Sequence, residues 1–220
     1  MGIRPIEAII YDYDGLLVDT EDVWFRACQS VCAPFGVSIT EKHRLDLMRS
    51  GLSAYLVEQF KLPIEADELR PTLYGVVDAM LADGIPLMPG AVQSIDLLGA
   101  RYPLAIGTGA RTHQVERGLA RVGIRERFRA VIGSDQLFNG EPLRGKPAPD
   151  IFLKAAYELG AEPAACLVLE DQPKGVAAAR AGGMRCIAVP NRFLVDADYS
   201  EATRVIPHLG AISLELIEAL

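Results

Sequence analysis

Short apolar runs alternate with helical patterns through most of this chain. The runs are three to six residues long and cover residues 6–11, 102–107, 130–132, 166–169 and 186–189. Apolar residues recur with helical spacing over residues 91–100, 112–122, 149–159 and 173–181. Apolar runs of this length that alternate with helices are typical of strands buried on both faces. The alternation therefore predicts an α/β fold, a doubly wound parallel sheet with helices on both faces.

One long segment interrupts the alternation. Residues 21–86 contain four consecutive helical patterns and no convincing strand, and these patterns cover 23–35, 41–49, 54–60 and 67–82. Pro86 and the Pro89-Gly90 pair mark the return to the alternating pattern. The simplest interpretation is a helical insertion after the first strand. We predict a core domain of residues 1–20 and 87–220 and an inserted helical cap domain of residues 21–86.

The composition indicates a globular protein with an acidic charge balance. Of the 220 residues, 50% are hydrophobic and 23% are charged, a mixture that excludes a disordered chain. The formal net charge is −7 at pH 7. Because binding to nucleic acid or to an anionic membrane requires clustered Lys and Arg, we expect neither as a partner.

The cysteines and the N-terminal sequence lead us to expect a cytoplasmic protein. Cys28 and Cys32 are four residues apart in a helical pattern, and Cys166 and Cys186 each lie in a short apolar run. We expect four buried free thiols, and the three histidines give no zinc spacing. No apolar stretch of signal-peptide length precedes Asp12, and no run approaches the roughly 20 residues of a membrane helix. The oligomeric state stays open, with a monomer favoured.

Polar side chains follow several of the predicted strands at the point where each strand ends. They are Asp12 and Asp14 after the first run, Thr108 and Gly109 after the second, Lys146 in a loop before a helix, and Glu170 and Asp171 after a later run. Each feature alone is typical of a turn, a helix cap or a solvated surface group. Ligands of an open parallel sheet bind beyond the carboxyl ends of its strands. Because all these residues are expected at that one edge, together they predict a site.

Carboxylates gathered in this way favour a particular chemistry. Two unit charges 4 Å apart repel by roughly 4 kcal/mol at an effective dielectric constant of 20. A divalent cation relieves this repulsion, and hard oxygen ligands favour Mg²⁺. Mg²⁺ and a lysine ammonium would also allow a carboxylate to attack a negatively charged phosphate group. A second carboxyl group nearby could protonate the leaving oxygen and later activate water.

Four sequence motifs resemble those of the haloacid dehalogenase-like hydrolases. The stretch DYDGLLVDTE at residues 12–21 resembles the first motif of that family. Thr108, Lys146 in the string GKPAPD, and Glu170-Asp171 resemble the other three motifs in the family's order. The similarity covers nearly the whole chain, including the insertion point of a helical cap. The chain is identified as a member of subfamily I, which implies a Rossmann-like core.

The resemblance implies a role for each motif residue. Asp12 would be the nucleophile that forms a phosphoaspartate, and Asp14 the general acid and base. Mg²⁺ would be held by Asp12, the backbone carbonyl of Asp14 and Asp171, with Glu170 nearby or also a ligand. Thr108, Lys146 and backbone amides around Asp14 and Gly109 would bind the phosphoryl oxygens. Gln172 departs from the family, since many relatives carry Ser there, but the change removes no ligand.

The resemblance also limits the types of reaction that we expect this chain to catalyse. Family members that cleave carbon–halogen or carbon–phosphorus bonds lack the aspartate at position 14, so neither reaction is expected. β-Phosphoglucomutase-like members have a histidine where this chain has Trp24, and Lys and Arg where an ungapped alignment places Ser50 and Ala54. Because a mutase must bind two phosphate groups, these differences favour a phosphatase of a small phosphorylated metabolite. A sugar phosphomutase and a non-catalytic binding module are the alternatives.

The substrate is less well determined. Residues 189–191 and 202–206 resemble phosphatases that act on pseudouridine, glycerol and deoxysugar phosphates. Trp24 could stack on a substrate ring, although a core position is the more common role of such a residue. Arg49, Tyr55 and Arg111 could contact the substrate, although a solvated position is the simpler expectation. These four residues are our candidates for substrate specificity.

Overall fold

The computed structural model describes residues 4–49, 51–82 and 84–220. In this part of the chain the strands are β1 (Ala8–Tyr11), β2 (Leu104–Gly107), β3 (Ala130–Ile132), β4 (Leu137–Phe138), β5 (Glu141–Pro142), β6 (Cys166–Glu170), β7 (Arg185–Ala188) and β8 (Arg204–Val205). The α-helices are α1 (Glu21–Cys32), α2 (Arg44–Arg49), α3 (Leu52–Phe60), α4 (Ala66–Met80), α5 (Ala91–Gly99), α6 (Thr112–Arg121), α7 (Asp150–Leu159), α8 (Pro173–Ala181) and α9 (Leu214–Glu218).

A six-stranded parallel sheet in the order β3-β2-β1-β6-β7-β8 confirms the predicted α/β class. The central strand β1 is fully buried along its length. Its continuous apolar sequence is what a parallel strand with both faces covered requires. Tyr11, the last residue of β1, pairs with Ile106 of β2 and Leu169 of β6, so the three strands end at one edge.

Each face of β1 packs into a different part of the core. Ile10 belongs to a cluster that includes Phe152 of α7 and Val176 of α8. On β1, Tyr11 meets Phe128 edge to face at 5.9 Å, and its hydroxyl donates a 3.3 Å hydrogen bond to Ser94 of α5. Because successive residues of a strand face opposite sides, helices cover both faces of the sheet.

Two compact units divide the chain, namely Met1–Asp19 together with Pro86–Leu220, and Thr20–Ile85. These junctions lie one residue from the predicted ones. The smaller unit, which we call the cap, contains α1 to α4 around its own apolar core. Burial raises the pKa of Cys28 to about 12 and that of Cys32 to about 11, which makes these thiols unreactive. All four cysteines are buried and free.

The differences from the predicted elements concern short, polar segments. Strand β8 has two exposed residues and joins the sheet through its flanks, where Thr203 N–H donates to Cys186 and Ile206 N–H to Ala188. The hairpin β4–β5 and helix α9 were also not predicted, since none has a long apolar pattern. Helix α7 begins at Asp150, one residue after the predicted start at Pro149. Among the described residues, no helix combines the length and apolarity needed to span a membrane.

Candidate active site

The carboxyl edge of the sheet brings four of the predicted residues into one cluster. Asp12 follows β1 and Glu170 ends the neighbouring strand β6, so the two side chains leave the sheet side by side. Lys146 lies in the loop before α7, and its Nζ is 2.7 Å from Asp12 Oδ1 and 2.6 Å from Glu170 Oε1. The Asp171 carboxylate lies beside those of Asp12 and Glu170. Residues far apart in the sequence thus form one charged centre.

The Lys146 side chain is held tightly although it carries a charge. Only 7% of it is exposed, and its ammonium lies 4.7 Å from the centre of the Phe152 ring. The peptide bond between Lys146 and Pro147 is cis. Ion pairs to two carboxylates and an aromatic face thus compensate the loss of water around the ammonium.

Burial and neighbouring charges shift the pKa values of Asp12 and Lys146. Burial raises the pKa of Asp12 to about 7, against the lowering effect of the Lys146 ammonium, and the charge of Glu170 adds to the increase. Burial alone would lower the pKa of Lys146, but the Asp12 and Glu170 carboxylates raise it above its ordinary value. Lys146 therefore stays protonated at neutral pH. It is the cation that favours the ionised form of Asp12.

Glu170 uses both carboxylate oxygens within the protein. Its Oε1 binds Lys146, and its Oε2 accepts a 2.7 Å hydrogen bond from the backbone N–H of Gln172. Gln172 is the residue that precedes the first turn of α8, where orphan N–H groups attract a carboxylate. The side chain of Gln172 plays no part in this contact, so the departure from Ser leaves it intact.

Gly175 makes room for this carboxylate. Cβ of any other residue at position 175 would overlap the Glu170 carboxylate, which is fixed by Lys146 and Gln172. We expect Gly175→Ala to displace Glu170 and, through it, Lys146. Since a displacement of about 1 Å can cost 10²-fold in rate, we expect kcat for phosphate-ester hydrolysis to fall by roughly 10- to 100-fold.

The control for this prediction is Gly75→Ala in α4, where Cβ would meet nothing within 4 Å. That change should raise the free energy of unfolding by about 0.5–1 kcal/mol, as alanine does in a helix interior. A Gly175→Ala enzyme with wild-type kcat would show that Glu170 does not set the position of Lys146.

Three carboxylates fit a divalent cation. Asp12, Glu170 and Asp171 are all buried, and each offers one oxygen within 4.8 Å of the others. The Lys146 ammonium pairs with two of these three acids, and a divalent cation would relieve the repulsion that remains among the carboxylates. All the donors are hard oxygens, the type that Mg²⁺ prefers over softer ligands. The donor set is therefore compatible with Mg²⁺.

The turn after β1 places Asp14 and Gly15 close to these carboxylates. Gly15 has φ +78, and its N–H donates a 2.9 Å hydrogen bond to the carbonyl of Val18. Cβ at position 15 would overlap Asp171 Oδ2, so the backbone of this turn packs directly on the Asp171 carboxylate. Asp14 is half-buried, and its side chain is outside the group of three carboxylates.

The loop after β2 carries the hydroxyl of the site. Thr108 is buried, its N–H bonds to Ile132 of β3, and its Oγ1 accepts a 3.2 Å hydrogen bond from Ala110 N–H. An acceptor role for Oγ1 leaves the hydroxyl proton available for a ligand. Gly109 is exposed. Arg111, half-buried, precedes the first turn of α6 in the same loop.

The specificity candidates of the cap lie within that unit. Trp24 is half-buried, packs against the cap core, and meets Tyr74 edge to face at 5.3 Å. The Tyr55 hydroxyl lies 3.4 Å from Asp46 Oδ2. Arg49 is the last residue of α2, and its side chain and the whole of Ser50 lie outside the described residues. A substrate role for these residues stays a prediction.

Sequence reasoning missed two residues that hold Asp171. Asn191 Nδ2 donates a 2.9 Å hydrogen bond to Asp171 Oδ2, and the Tyr199 hydroxyl donates a 2.6 Å hydrogen bond to the Asp171 carbonyl. Asn191 lies three residues beyond the end of β7, at the same edge of the sheet. The rule that found the other residues, polar groups after strand ends, could have found Asn191 as well.

Known proteins are similar to this chain in sequence and in fold. A probable pseudouridine-5'-phosphatase of Drosophila melanogaster is 33% identical over 94% of this chain and 92% of its own length. The fructose-1-phosphate phosphatase YqaB of Escherichia coli (strain K12) is 31% identical over 82% of this chain and 95% of its own. The crystal structure of CbbY from Rhodobacter sphaeroides in complex with phosphate superposes with a TM-score of 0.84 and 26% identity, covering 98% of this chain and 100% of that one.

The family model for haloacid dehalogenase-like hydrolases matches residues 9–189. This span includes the residues of all four motifs, from Asp12 to Asp171, and the whole of the cap. The chain belongs to the haloacid dehalogenase-like hydrolase family.

Proposed function

We propose that this chain is a Mg²⁺-dependent phosphatase that hydrolyses small phosphomonoesters through a phosphoaspartate at Asp12. The observation that carries the proposal is the buried centre in which Lys146 bridges Asp12 and Glu170 beside Asp171. A nucleophile, a fixed cation and a candidate metal site are the parts that transfer of a phosphoryl group requires. The phosphatases among the relatives support the same reaction class.

In the first half-reaction, a carboxylate oxygen of Asp12 forms a bond to phosphorus as the bond from phosphorus to the alcohol oxygen breaks. Asp14, half-buried in the turn after β1, gives its proton to that leaving oxygen. In the second, Asp14 removes a proton from water as the water oxygen attacks phosphorus. Inorganic phosphate leaves, and the Asp12 carboxylate and the Asp14 acid are restored.

The remaining residues bind and orient the phosphoryl group. Lys146 and the hydroxyl of Thr108 donate to its oxygens, and the backbone N–H of Gly109 is a further donor. Asp12, Asp171 and the Asp14 carbonyl would hold Mg²⁺, which would neutralise charge between the nucleophile and the phosphoryl oxygens. Because both oxygens of Glu170 are engaged with Lys146 and Gln172, we assign Glu170 to positioning the lysine.

The substrate is a small phosphorylated metabolite, such as a nucleoside, sugar or polyol phosphate. The four buried free cysteines fit a reducing compartment, so we propose a cytoplasmic enzyme. A panel of such esters tests the proposal, with inorganic phosphate as the readout in the presence of Mg²⁺. We expect release from at least one class. No release from any member would contradict a phosphatase, and an isomerised sugar phosphate formed faster than free phosphate would favour the phosphomutase alternative.

Removal of divalent cations should abolish phosphate release. Without Mg²⁺, the repulsion between Asp12 and a phosphate dianion is no longer offset by a divalent cation, and Lys146 contributes a single positive charge. We expect turnover to fall to background after treatment with EDTA and gel filtration, and to return when MgCl₂ is added. EDTA already saturated with Mg²⁺ is the control for damage by the chelator. Full activity after complete removal of metal would contradict the proposed metal-binding role of Asp12, Asp171 and the Asp14 carbonyl.

A further inference from the structure

Asn191 contacts the Asp171 carboxylate in a way that fixes its orientation. Asn191 Nδ2 donates a 2.9 Å hydrogen bond to Asp171 Oδ2, and Asn191 N–H donates a 3.1 Å hydrogen bond to the Asp171 carbonyl. One residue therefore binds both the backbone and the side chain of Asp171. With Oδ2 held, the carboxylate cannot turn freely about its Cβ–Cγ bond, so the direction of its other oxygen is also set.

The amide of Asn191 is itself fixed, and its orientation is unambiguous. Its Oδ1 accepts a 3.1 Å hydrogen bond from Phe193 N–H, which closes a turn two residues long. Since a backbone N–H can only donate, the atom that faces it must be the oxygen, and the NH₂ group must face Asp171. The Asn191 carbonyl accepts a 2.8 Å hydrogen bond from Leu194 N–H. Asn191 is 3% exposed and therefore little affected by solvent.

The sheet places Asn191 opposite Asp171. Strands β6 and β7 are paired up to Glu170 and Ala188, and the hydrogen bonds continue beyond the strand ends. Val189 N–H bonds to the Glu170 carbonyl at 2.8 Å before the Asn191 bond to Asp171. The loop after β7 is thus an extension of the same ladder, which gives the amide a rigid support.

The turn after β1 covers the other side of this pair. Cβ at Gly15 would lie 2.8 Å from Asn191 Nδ2 and would overlap Asp171 Oδ2. The backbone at Gly15 therefore covers one side of the hydrogen bond between the two side chains.

A neutral hydrogen-bond donor such as the Asn191 amide is suited to orienting a carboxylate that binds a metal ion. A lysine or arginine at position 191 would orient the Asp171 carboxylate but would also neutralise the charge that attracts a cation. A carboxylate would repel it. An amide orients the oxygen by a hydrogen bond and leaves the negative charge available. Partners of this kind, which hydrogen-bond to metal ligands, typically contribute 10- to 100-fold in metal affinity.

We propose that Asn191 is a positioning residue for the metal site, holding the Asp171 carboxylate in the orientation that binds Mg²⁺. This inference rests on the proposed function, because it assumes that Asp171 is a Mg²⁺ ligand. Asn191 acts through Asp171 and need not touch substrate or the phosphoryl group. Its loss should therefore weaken Mg²⁺ binding while the chemical step, once Mg²⁺ is bound, changes little.

Two variants test this role. Asn191→Leu keeps the approximate volume and removes the donor, and Asn191→Ser keeps a hydroxyl that can accept from Phe193 N–H but is too short to reach Asp171. Calorimetric titration of the metal-free proteins with MgCl₂ should give a dissociation constant 10- to 100-fold above that of the wild type for both. The concentration of Mg²⁺ that gives half-maximal phosphate release should rise in parallel, with kcat at saturating Mg²⁺ within a few-fold of the wild type.

Two further substitutions serve as controls. Tyr199→Phe removes a buried hydrogen bond to the Asp171 carbonyl but leaves the carboxylate contact intact. It should lower the melting temperature and change Mg²⁺ affinity much less than the Asn191 variants. Asn139→Ser, at an exposed turn between β4 and β5, should leave Mg²⁺ affinity unchanged, and because Asn139 has φ +54, a conformation that favours Asn over Ser, it should lower the melting temperature slightly.

The outcomes separate the two proposals. If the wild-type protein binds no Mg²⁺, the proposed function fails and this inference fails with it. If the wild type binds Mg²⁺ and a folded Asn191 variant binds it equally well, only the role of Asn191 is overturned. A fall in kcat with unchanged Mg²⁺ affinity would also overturn it. Should Asn191→Leu fail to fold, Asn191→Ser decides the matter.

Discussion

Asp12→Asn should reduce phosphate release by roughly 10⁴- to 10⁶-fold, the range expected when a covalent nucleophile is removed. An amide has nearly the shape of the carboxylate but cannot form the acyl phosphate. Because Lys146 would still bind Glu170, we expect the variant to fold and the rest of the site to persist. Single-turnover and steady-state measurements of phosphate release with Mg²⁺ would test this expectation.

Asp96→Asn makes the same chemical change at an exposed position, where Asp96 pairs with Arg127 on the surface. Its activity should equal that of the wild type, because exposed ion pairs contribute little. Retention of even a tenth of wild-type turnover by Asp12→Asn would show that another group is the nucleophile.

Lys146→Gln should impair both catalysis and folding. The loss of a charged donor to the transferring phosphoryl group should lower kcat by about 10²- to 10³-fold. The substitution also leaves the buried carboxylates of Asp12 and Glu170 without their common cation. Breaking such a buried pair costs about 3–5 kcal/mol of the free energy of unfolding. Denaturant titrations and steady-state kinetics would measure the two effects.

A double variant separates the two roles of Lys146. In Lys146→Gln/Glu170→Gln, one carboxylate and the ammonium are both neutral, so much of the lost stability should return. Activity should stay low, since the ammonium that faces Asp12 and the transferring phosphoryl group is gone. Recovery of activity together with stability would show that Lys146 is needed for folding alone.

Much of the core was predictable because its elements are apolar and periodic. β1 and β2 lie within the predicted runs, and α8 has the predicted bounds. Burial on both faces of the sheet requires continuous apolar strands, which stand out in the sequence. Strand β8 does not stand out in the sequence, because it has two exposed residues. The residues on either side of it join the sheet through backbone hydrogen bonds, which impose no sequence pattern.

The sequence allowed us to predict which site residues lie at the ends of strands, but not the contacts between their side chains. Parallel strands place Asp12 and Glu170 at one edge whatever their side chains do, so their proximity follows from topology. The packing of α8 against that edge determines which Glu170 oxygen contacts Lys146. The same packing requires a glycine at position 175. The dual contact of Asn191 with Asp171 requires the pairing of β6 with β7. Such three-dimensional relations leave no periodic signal.

Substrate preference was the least predictable property. Trp24, Tyr55 and Arg49 lie in the cap, where helical spacing specifies a buried stripe but not which exposed groups meet a ligand. Trp24 illustrates the ambiguity, since its contacts with Tyr74 and the cap core are those of a packing residue. The reaction chemistry, by contrast, depends on groups attached directly to the sheet.

Detection of the phosphorylated intermediate tests the central claim most directly. Wild-type enzyme would be mixed with Mg²⁺ and a substrate from the panel, quenched with acid within one turnover, digested and examined by mass spectrometry. We expect a phosphoryl group on the peptide that contains Asp12, removable by hydroxylamine as an acyl phosphate should be, and absent from Asp12→Asn. Turnover without any phosphorylated peptide, or with the phosphoryl group on another residue, would contradict the assignment of Asp12 as the nucleophile.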